Sequence, residues 1–293
     1  MDLGRRRPRP RRLTAPVTTP DATTADPASV PVYRALCASG SVESPTALMT
    51  DAPVVFSVST WQQPTPPAPV PARARVLDQL VEMIDSLGHH RLRVAIDGLT
   101  AAGKTSLGHE LARGLSRRGR PVFRASLDDF KRPWSERHLY DRLSGEGYYR
   151  NAFDREAACR LLLDPSDPKA DGLVSLCSID PITQIDHSAV KSAKPANGVL
   201  IVDGVFAYRP EINAYWDLRI WVEIDAELSV RRGIARDVEM DGGAEAAEAL
   251  HRDRYLVGEL VYIDEVDPRS FVEVILDNTD FDNPRIVRPR GPS

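Results

Sequence analysis

The chain has 293 residues, of which 42% are hydrophobic and 27% charged, as is ordinary for a globular protein with one large domain or two small ones. Its formal net charge of −4 gives no overall attraction to nucleic acid or to an anionic membrane, and no apolar run approaches the roughly 20 residues of a membrane helix. The three cysteines, an odd number without metal-type spacing, argue against a disulfide framework and favour a reducing, cytoplasmic location.

The first quarter of the chain is rich in proline. More than half of the 24 prolines precede residue 74, many of them in Pro64–Pro71. Because proline lacks a backbone donor and stops helices, residues 1–70 are predicted to be a disordered, arginine-containing extension. Val54–Val58 could form a strand but has no evident partner nearby, and the globular domain is predicted to span residues 71–293.

The first predicted elements of that domain are a helix, a strand and a second helix. Apolar residues repeat at helical spacing over Val76–Leu87, and Gly88 follows as a stop. Leu92–Asp97 is a predicted strand that leads into a glycine-containing loop, and Lys104–Arg117 is the next predicted helix. This order places the loop between a strand and a helix.

The remaining predicted strands end at acidic residues. They are Val122–Leu127, Val199–Val202, Leu218–Ile224 and Val272–Leu276, with a helix over about 228–238. Strands that read as apolar runs and alternate with helices predict an α/β fold, with a parallel sheet covered by helices on both faces. Ligands of such sheets bind at the carboxyl ends of the strands. We therefore expect a ligand-binding site at these strand ends, formed by the acids Asp97, Asp128, Asp203 and Asp277.

The loop Gly98–Thr105 matches the phosphate-binding pattern G-x-x-x-x-G-K-[ST] in full. Its glycines let backbone N–H groups turn towards phosphate oxygens, and the following helix adds its positive end. Lys104 is predicted to reach the outer phosphates and to be catalytic. The predicted ATP-binding residues are Gly98, Thr100, Ala101, Ala102, Gly103, Lys104, Thr105 and Ser106. The other reading, a glycine turn without nucleotide, does not account for this strand–loop–helix context.

Phosphoryl transfer also requires a metal ion and a group that orients the attacking hydroxyl. Thr105 and Asp203 are the predicted Mg²⁺ ligands, although Asp203-Gly204 could also be an ordinary turn. Asp128 or Asp129, after the second strand, is the candidate base, and Asp129 could instead cap the segment that follows.

Four segments resemble the uridine kinase and phosphoribulokinase family of P-loop kinases. They are Asp97–Thr105, Leu127–Phe130, Phe153-Asp154 and Val202–Phe206. The resemblance implies a P-loop kinase fold with a small lid, the cofactors ATP and Mg²⁺, and phosphorylation of a nucleoside 5′-hydroxyl. It also implies that Asp128 is the catalytic base and that Phe153 and Asp154 hold the ribose.

Arginines after Ala226 resemble the start of the family's mobile lid, which is predicted at about 228–250. Arg232 and Arg236 are four residues apart, so they share a helix face from which both could bind substrate phosphate. The alternative is a solvated basic face. The tail His251–Tyr262 is predicted to pack near the acceptor.

The predicted base-recognition segment departs from the family pattern. Thr183 stands where uridine kinases have tyrosine, Lys131 replaces a frequent aromatic residue, and His187 is either a substrate contact or an ordinary surface histidine. These departures leave open a kinase of another metabolite, such as pantothenate or a phosphorylated pentose.

The alternative class of protein is a nucleotide-binding switch that is not a kinase. A GTPase of that class would need a guanine-binding element, but Asn278–Asp280 lacks the lysine of such an element. The predicted partner is a small-molecule acceptor, and neither nucleic acid nor a membrane is expected to bind. Whether the chain forms a homo-oligomer stays open.

Overall fold

The computed structural model describes residues 51–137 and 139–287. Its strands are β1 Val54–Phe56, β2 Leu92–Gly98, β3 Val122–Ser126, β4 Leu173–Val174, β5 Ser192–Ala193, β6 Val199–Asp203, β7 Leu218–Glu223, β8 Val274–Asp277 and β9 Arg285–Val287. Seven of them form one sheet in the order β1-β3-β6-β2-β7-β8-β9, and β4 pairs with β5 separately. Neighbours from β1 to β8 are parallel, and β9 is antiparallel to β8.

Helices connect these strands. They are α1 Pro71–Ser86, α2 Lys104–Arg117, α3 Gly145–Asn151, α4 Arg155–Ala158, α5 Pro210–Asn213, α6 Ala226–Asp237, α7 Ala244–Ala249 and α8 Val257–Val266. Two π-helical segments, Cys159–Leu163 and Leu250–Leu256, extend α4 and join α7 to α8. Short 3-10 helices occupy Leu127–Phe130, Trp134–Glu136 and Pro268–Ser270. None of the helices in the described ranges is long and apolar enough to span a membrane.

The sheet has an apolar core on each face. On β2, Val94 and Ile96 pack with α1 and α2, whereas Ala95 points to the opposite core, where Tyr149 and Tyr262 come from α3 and α8. Successive side chains of a strand point to opposite faces, so a strand covered on both sides must be apolar throughout. This explains the continuous apolar runs and agrees with the predicted helices on both faces.

The prediction for Val54–Val58 requires a correction. Val54, Val55 and Phe56 pair in parallel with Val122, Phe123 and Arg124 of β3, so the strand has a partner at the edge of the sheet. The partner is distant in sequence, which local patterns cannot reveal. The prediction of disorder is therefore wrong for the segment around β1. Residues 1–50, for which disorder was also predicted, lie outside the described residues.

Several boundaries also shift. Helix α1 begins at Pro71 and not at Val76, because proline is tolerated in the first turn, where its missing N–H has no helical partner. Helix α6 begins at Ala226, where the Asp225 carboxylate accepts a hydrogen bond from the N–H of Leu228 at 2.8 Å. The segment predicted as a lid corresponds to α6 and α7, joined by a turn in which Gly242 and Gly243 have positive φ.

Candidate active site

A cavity of about 870 Å³ opens at the carboxyl edge of the parallel strands. The loop residues on its wall are Thr100, Ala101, Gly103, Lys104, Thr105 and Ser106. Gly98 and Ala102 are not among the lining residues. The six lining residues therefore face one concave space at the place expected for a ligand of such a sheet.

The two glycines of the loop are required by close packing. Gly98 has φ +147°, and a Cβ there would lie 2.3 Å from the carbonyl oxygen of Val222. Gly103 has φ +98°, and a Cβ there would lie 2.6 Å from Nδ2 of Asn278. Any other residue would have to displace a neighbouring strand or loop, so the pattern's glycines follow from the geometry.

Lys104 lies at the centre of the loop. Its Nζ donates hydrogen bonds to the carbonyl oxygens of Gly98 at 2.9 Å and Leu99 at 2.8 Å. Burial lowers the pKa of Lys104, and the nearby carboxylates of Glu259, Asp97 and Asp203 oppose that shift. The amine is thus held among the backbone groups that would surround a phosphate.

Asp203 and Thr105 meet on the cavity floor. The Thr105 hydroxyl donates to Oδ2 of Asp203 at 2.6 Å, and Nη2 of Arg124 donates to Oδ1 at 2.6 Å. Arg124 is buried and fixes the orientation of the carboxylate. A hydroxyl and a carboxylate in contact are the hard oxygen donors that Mg²⁺ prefers, so these residues fit the predicted ion.

Asp128 and Asp129 have different surroundings. Asp128 lies on the cavity wall, and its Oδ1 is 2.7 Å from Nζ of Lys131. Burial acts to raise the pKa of Asp128, but the charge and hydrogen bond of Lys131, together with the charges of Lys104 and Arg236, lower the pKa overall. Asp129 is buried against Ser57 and Ser59, and burial raises its pKa to about 7. Of the two candidate bases, only Asp128 faces the cavity. The cap of this turn is Ser126, not Asp129.

The structure does not bring Phe153 and Asp154 to the cavity. The Phe153 ring is buried and lies 5.6 Å from the ring of Phe206, and Oδ1 of Asp154 accepts the N–H of Ala157 at 3.0 Å as the N-cap of α4. Neither residue is among those that line the cavity. Phe153 packs in the core and Asp154 caps α4, and both line a smaller neighbouring cavity that shares Val205 with the larger one. Their contact with a ribose stays a prediction.

His187 also lies outside the cavity lining. Its N–H donates to the carbonyl oxygen of Ser178 at 2.8 Å, and the wall is formed instead by Pro181 and Ile182. Asp180 organises this loop by accepting the backbone N–H groups of Ile182 and Thr183. The loop therefore presents an apolar surface where the sequence suggested a histidine contact.

The two predicted lid arginines do line the cavity. Nη2 of Arg232 donates to the carbonyl oxygen of Thr279 at 2.8 Å, which ties α6 to the loop after β8. Arg236 forms two hydrogen bonds of 2.7 Å with the Asp237 carboxylate, which also contacts His251 at 3.0 Å. Both side chains thus have protein partners at the cavity rim.

Two of the four acids at strand ends are structural. Asp97 is buried and accepts hydrogen bonds from the Tyr262 hydroxyl at 2.7 Å and the Ala207 N–H at 2.8 Å, and burial raises its pKa to about 6. Asp277 accepts from the N–H of Thr279 and from Arg285. The expected site thus contains Asp128 and Asp203, but not Asp97 or Asp277.

Sequence reasoning missed several residues of the cavity wall. They are Trp61, Gln63, Trp134, Arg137, Arg142, Tyr148 and Met240. Trp61 and Gln63 lie in the segment predicted to be disordered, and Met240 lies in the predicted lid. The others stand outside any recognised motif. Tyr255 also lines the cavity, and it belongs to the tail that was predicted to pack near the acceptor.

Comparisons with known proteins show similarity to proteins that are named or described as kinases. No family model matches the chain. A uridine kinase of Halobacterium salinarum is 28% identical over 169 residues, which cover 56% of this chain and 68% of that protein. A uridine kinase of Staphylococcus aureus is 26% identical over 150 residues, covering 51% and 70%.

Two solved structures share the fold. A protein described as a possible uridine kinase from Bacillus stearothermophilus has a TM-score of 0.53 and 22% identity, covering 69% of this chain and 97% of that one. A protein provisionally described as a fructose transport system kinase from Silicibacter has a TM-score of 0.54 and 21% identity, covering 64% and 94%.

Fold and relatives together define the class of this protein. The mostly parallel sheet, the helices on both faces and the two solved structures confirm the predicted α/β P-loop kinase fold. The chain therefore has the fold of P-loop kinases. The curated relatives confirm that it is similar to uridine kinases in particular.

Proposed function

We propose that this chain transfers the γ-phosphoryl group of ATP to a hydroxyl group of a small molecule. One observation carries the proposal: the phosphate loop with Lys104 and the carboxylate of Asp128 face the same cavity. Phosphoryl transfer requires a phosphate site and a hydroxyl-orienting carboxylate on opposite sides of the reacting phosphorus. The names of the relatives make a nucleoside 5′-hydroxyl the first acceptor to test.

The loop residues bind ATP in this proposal. Backbone N–H groups of Ala101–Ser106 and the amine of Lys104 bind the phosphates, and Arg232 and Arg236 at the rim stabilise charge on them. Thr105 and Asp203 would hold Mg²⁺, which supplies charge neutralisation on the phosphate oxygens when bound. Use of Mg²⁺ and a cytoplasmic location belong to the same proposal.

Asp128 orients the acceptor hydroxyl and accepts its proton. The lowered pKa of Asp128 keeps the carboxylate ionised at neutral pH, so it is always ready to accept a hydrogen bond. A carboxylate of low pKa is a weak base, so most of its effect comes from orientation of the nucleophile.

An acceptor panel tests the proposal. ADP release is measured with wild type, Asp128→Asn and the exposed surface variant Asp253→Asn, with and without nucleosides, sugars, sugar phosphates and hydroxy acids. We expect that at least one acceptor stimulates ADP release. The acceptor-dependent rate of ADP release should fall roughly 10²- to 10⁴-fold in Asp128→Asn and should not fall in Asp253→Asn. ATP hydrolysis that ignores every acceptor and is unchanged in Asp128→Asn would contradict a kinase and favour a nucleotide switch.

A further inference from the structure

Two nitrogens of the Arg137 guanidinium group have no hydrogen-bond partner among the described residues. The side chain of Arg137 lines the cavity, and its Nε and Nη2 are buried without a hydrogen-bond partner in the part of the chain that the structure describes. A guanidinium group that leaves water without a partner loses hydration free energy. Unpaired buried donors of this kind are rare in native proteins, so they point to a ligand that supplies the acceptor atoms.

A second arginine increases the positive charge at this place. Arg254 is close enough that its charge, together with burial, lowers the pKa of Arg137. The Nε of Arg254 is also buried without a partner among the described residues, while its Nη1 donates to the carbonyl oxygen of Arg142. Two like charges held together need a counter-charge, and the nearby Asp128 is already paired with Lys131.

The position of these arginines assigns them to the acceptor. Arg137 follows the segment that carries Asp128, and the groups that act on its charge are Arg254, Asp128 and Tyr255. In the proposed function, Lys104, Arg232 and Arg236, which line the cavity, bind the ATP phosphates. Arg236 also lies near Asp128 and Tyr255, but its charge is paired with Asp237. Arg137 is therefore the arginine near Asp128 that is left to bind an acceptor.

We propose that the acceptor carries an anionic group, a phosphate monoester or a carboxylate, which Arg137 binds in the cavity and which the charge of Arg254, outside the cavity lining, helps to attract. Guanidinium groups match the geometry of both anions, because two parallel N–H groups can donate to two oxygens. This inference rests on the proposed function and narrows its acceptor from a neutral nucleoside to a hydroxylated phosphate or acid. The anion lies away from the hydroxyl that is phosphorylated.

Matched acceptor pairs test the inference by kinetics. Each pair differs by one anionic group: ribose and ribose 5-phosphate, uridine and uridine 3′-monophosphate, glycerol and glycerate. We expect kcat/KM to favour an anionic member by roughly 10-fold or more. Arg137→Met should raise KM for that member by roughly 10- to 100-fold, and leave the KM for ATP unchanged. Arg137→Lys should recover part of the loss, and Arg117→Met, at the far end of α2, should behave as wild type.

Binding without turnover separates this inference from the proposed function. With Mg²⁺ and a non-hydrolysable ATP analogue at saturation, the same compounds are titrated and tryptophan fluorescence is followed, since Trp61 and Trp134 line the cavity. We expect saturable binding of an anionic member that weakens in Arg137→Met and in Arg254→Met. The inference is overturned if only neutral members bind, if none of the anionic members binds, or if Arg137→Met weakens neutral and anionic members equally. Anion binding without turnover would overturn the kinase proposal alone.

Discussion

Asp128 and Asp129 are neighbours in the chain, yet their carboxylates have opposite surroundings. The 3-10 turn that follows β3 directs Asp128 to the cavity and to Lys131, and directs Asp129 to the hydroxyls of the half-buried Ser57 and the buried Ser59. A partner of opposite charge favours the ionised form, whereas burial disfavours it. Asp128 is therefore ionised at neutral pH, while the pKa of Asp129 is raised to about 7.

The first prediction concerns the pH dependence that Lys131 gives to Asp128. Burial raises the pKa of Asp128, and Lys131 provides the largest opposing effect. In Lys131→Met the pKa of Asp128 should rise, so Asp128 is protonated up to a higher pH. The acid limb of the kcat/KM profile should therefore shift to higher pH. The pH–rate profile with a working acceptor measures this shift. The exposed variant Lys169→Met is the control, and an unmoved limb in Lys131→Met would contradict the role of Asp128.

At the scale of elements, the phosphate loop is fixed by three neighbours. The Ser229 hydroxyl of α6 donates to the carbonyl oxygen of Thr100 at 2.7 Å, and Glu259 of α8 accepts the N–H of Thr100 at 2.8 Å. Asn278, after β8, donates to the carbonyl oxygen of Ala102 at 2.7 Å. Glu259 is buried, and burial raises its pKa to about 7. The loop is therefore preorganised by helices that are distant in sequence.

The second prediction tests that support. Glu259→Ala leaves the N–H and hydroxyl of Thr100 without their acceptor, so the loop should lose its fixed shape and KM for ATP should rise roughly 10-fold. Glu259→Gln keeps a carbonyl oxygen in place and should change KM for ATP much less. Steady-state kinetics with ATP varied measures both variants. Equal KM values in wild type and Glu259→Ala would show that α8 does not position the loop.

Local sequence patterns predicted the elements that depend on near neighbours. The strand β2, the loop Gly98–Thr105 and helix α2 were readable because apolar periodicity and glycine spacing act over a few residues. The pairing of β1 with β3 was not readable, since it joins segments far apart in the chain. The same holds for Asp154 and His187, whose side-chain positions depend on how distant segments pack. Asp154 caps α4 and lines the smaller cavity, and His187 lies outside the lining of the larger one, so their contacts with a substrate stay predictions.

At the scale of the whole molecule, the segment before α1 is part of the fold and of the cavity. Besides β1, Thr60 is anchored to Asp180, which accepts its N–H at 2.6 Å and its hydroxyl at 2.9 Å. The next residues, Trp61, Gln63 and Pro64, line the cavity. The substrate space is thus closed on one side by residues outside the α/β core that the motifs identify.

The third prediction follows from this arrangement. A chain that begins at Pro71 should be less stable than one that begins at Asp51, by roughly 2–4 kcal/mol, because it loses the edge strand and its packing. It should also have a higher KM for the acceptor, because one wall of the cavity is missing. Urea denaturation and steady-state kinetics compare the two chains. Equal stability and equal KM would show that the segment is dispensable.

The central claim is that a phosphoryl group moves from ATP to a hydroxyl group of the acceptor. ³¹P nuclear magnetic resonance of a complete reaction with Mg²⁺, ATP and the best acceptor of the panel tests it most directly. The account predicts a new phosphomonoester resonance that grows in step with ADP, and that is absent when Lys104→Ala replaces the wild type. ADP accompanied only by inorganic phosphate would contradict it.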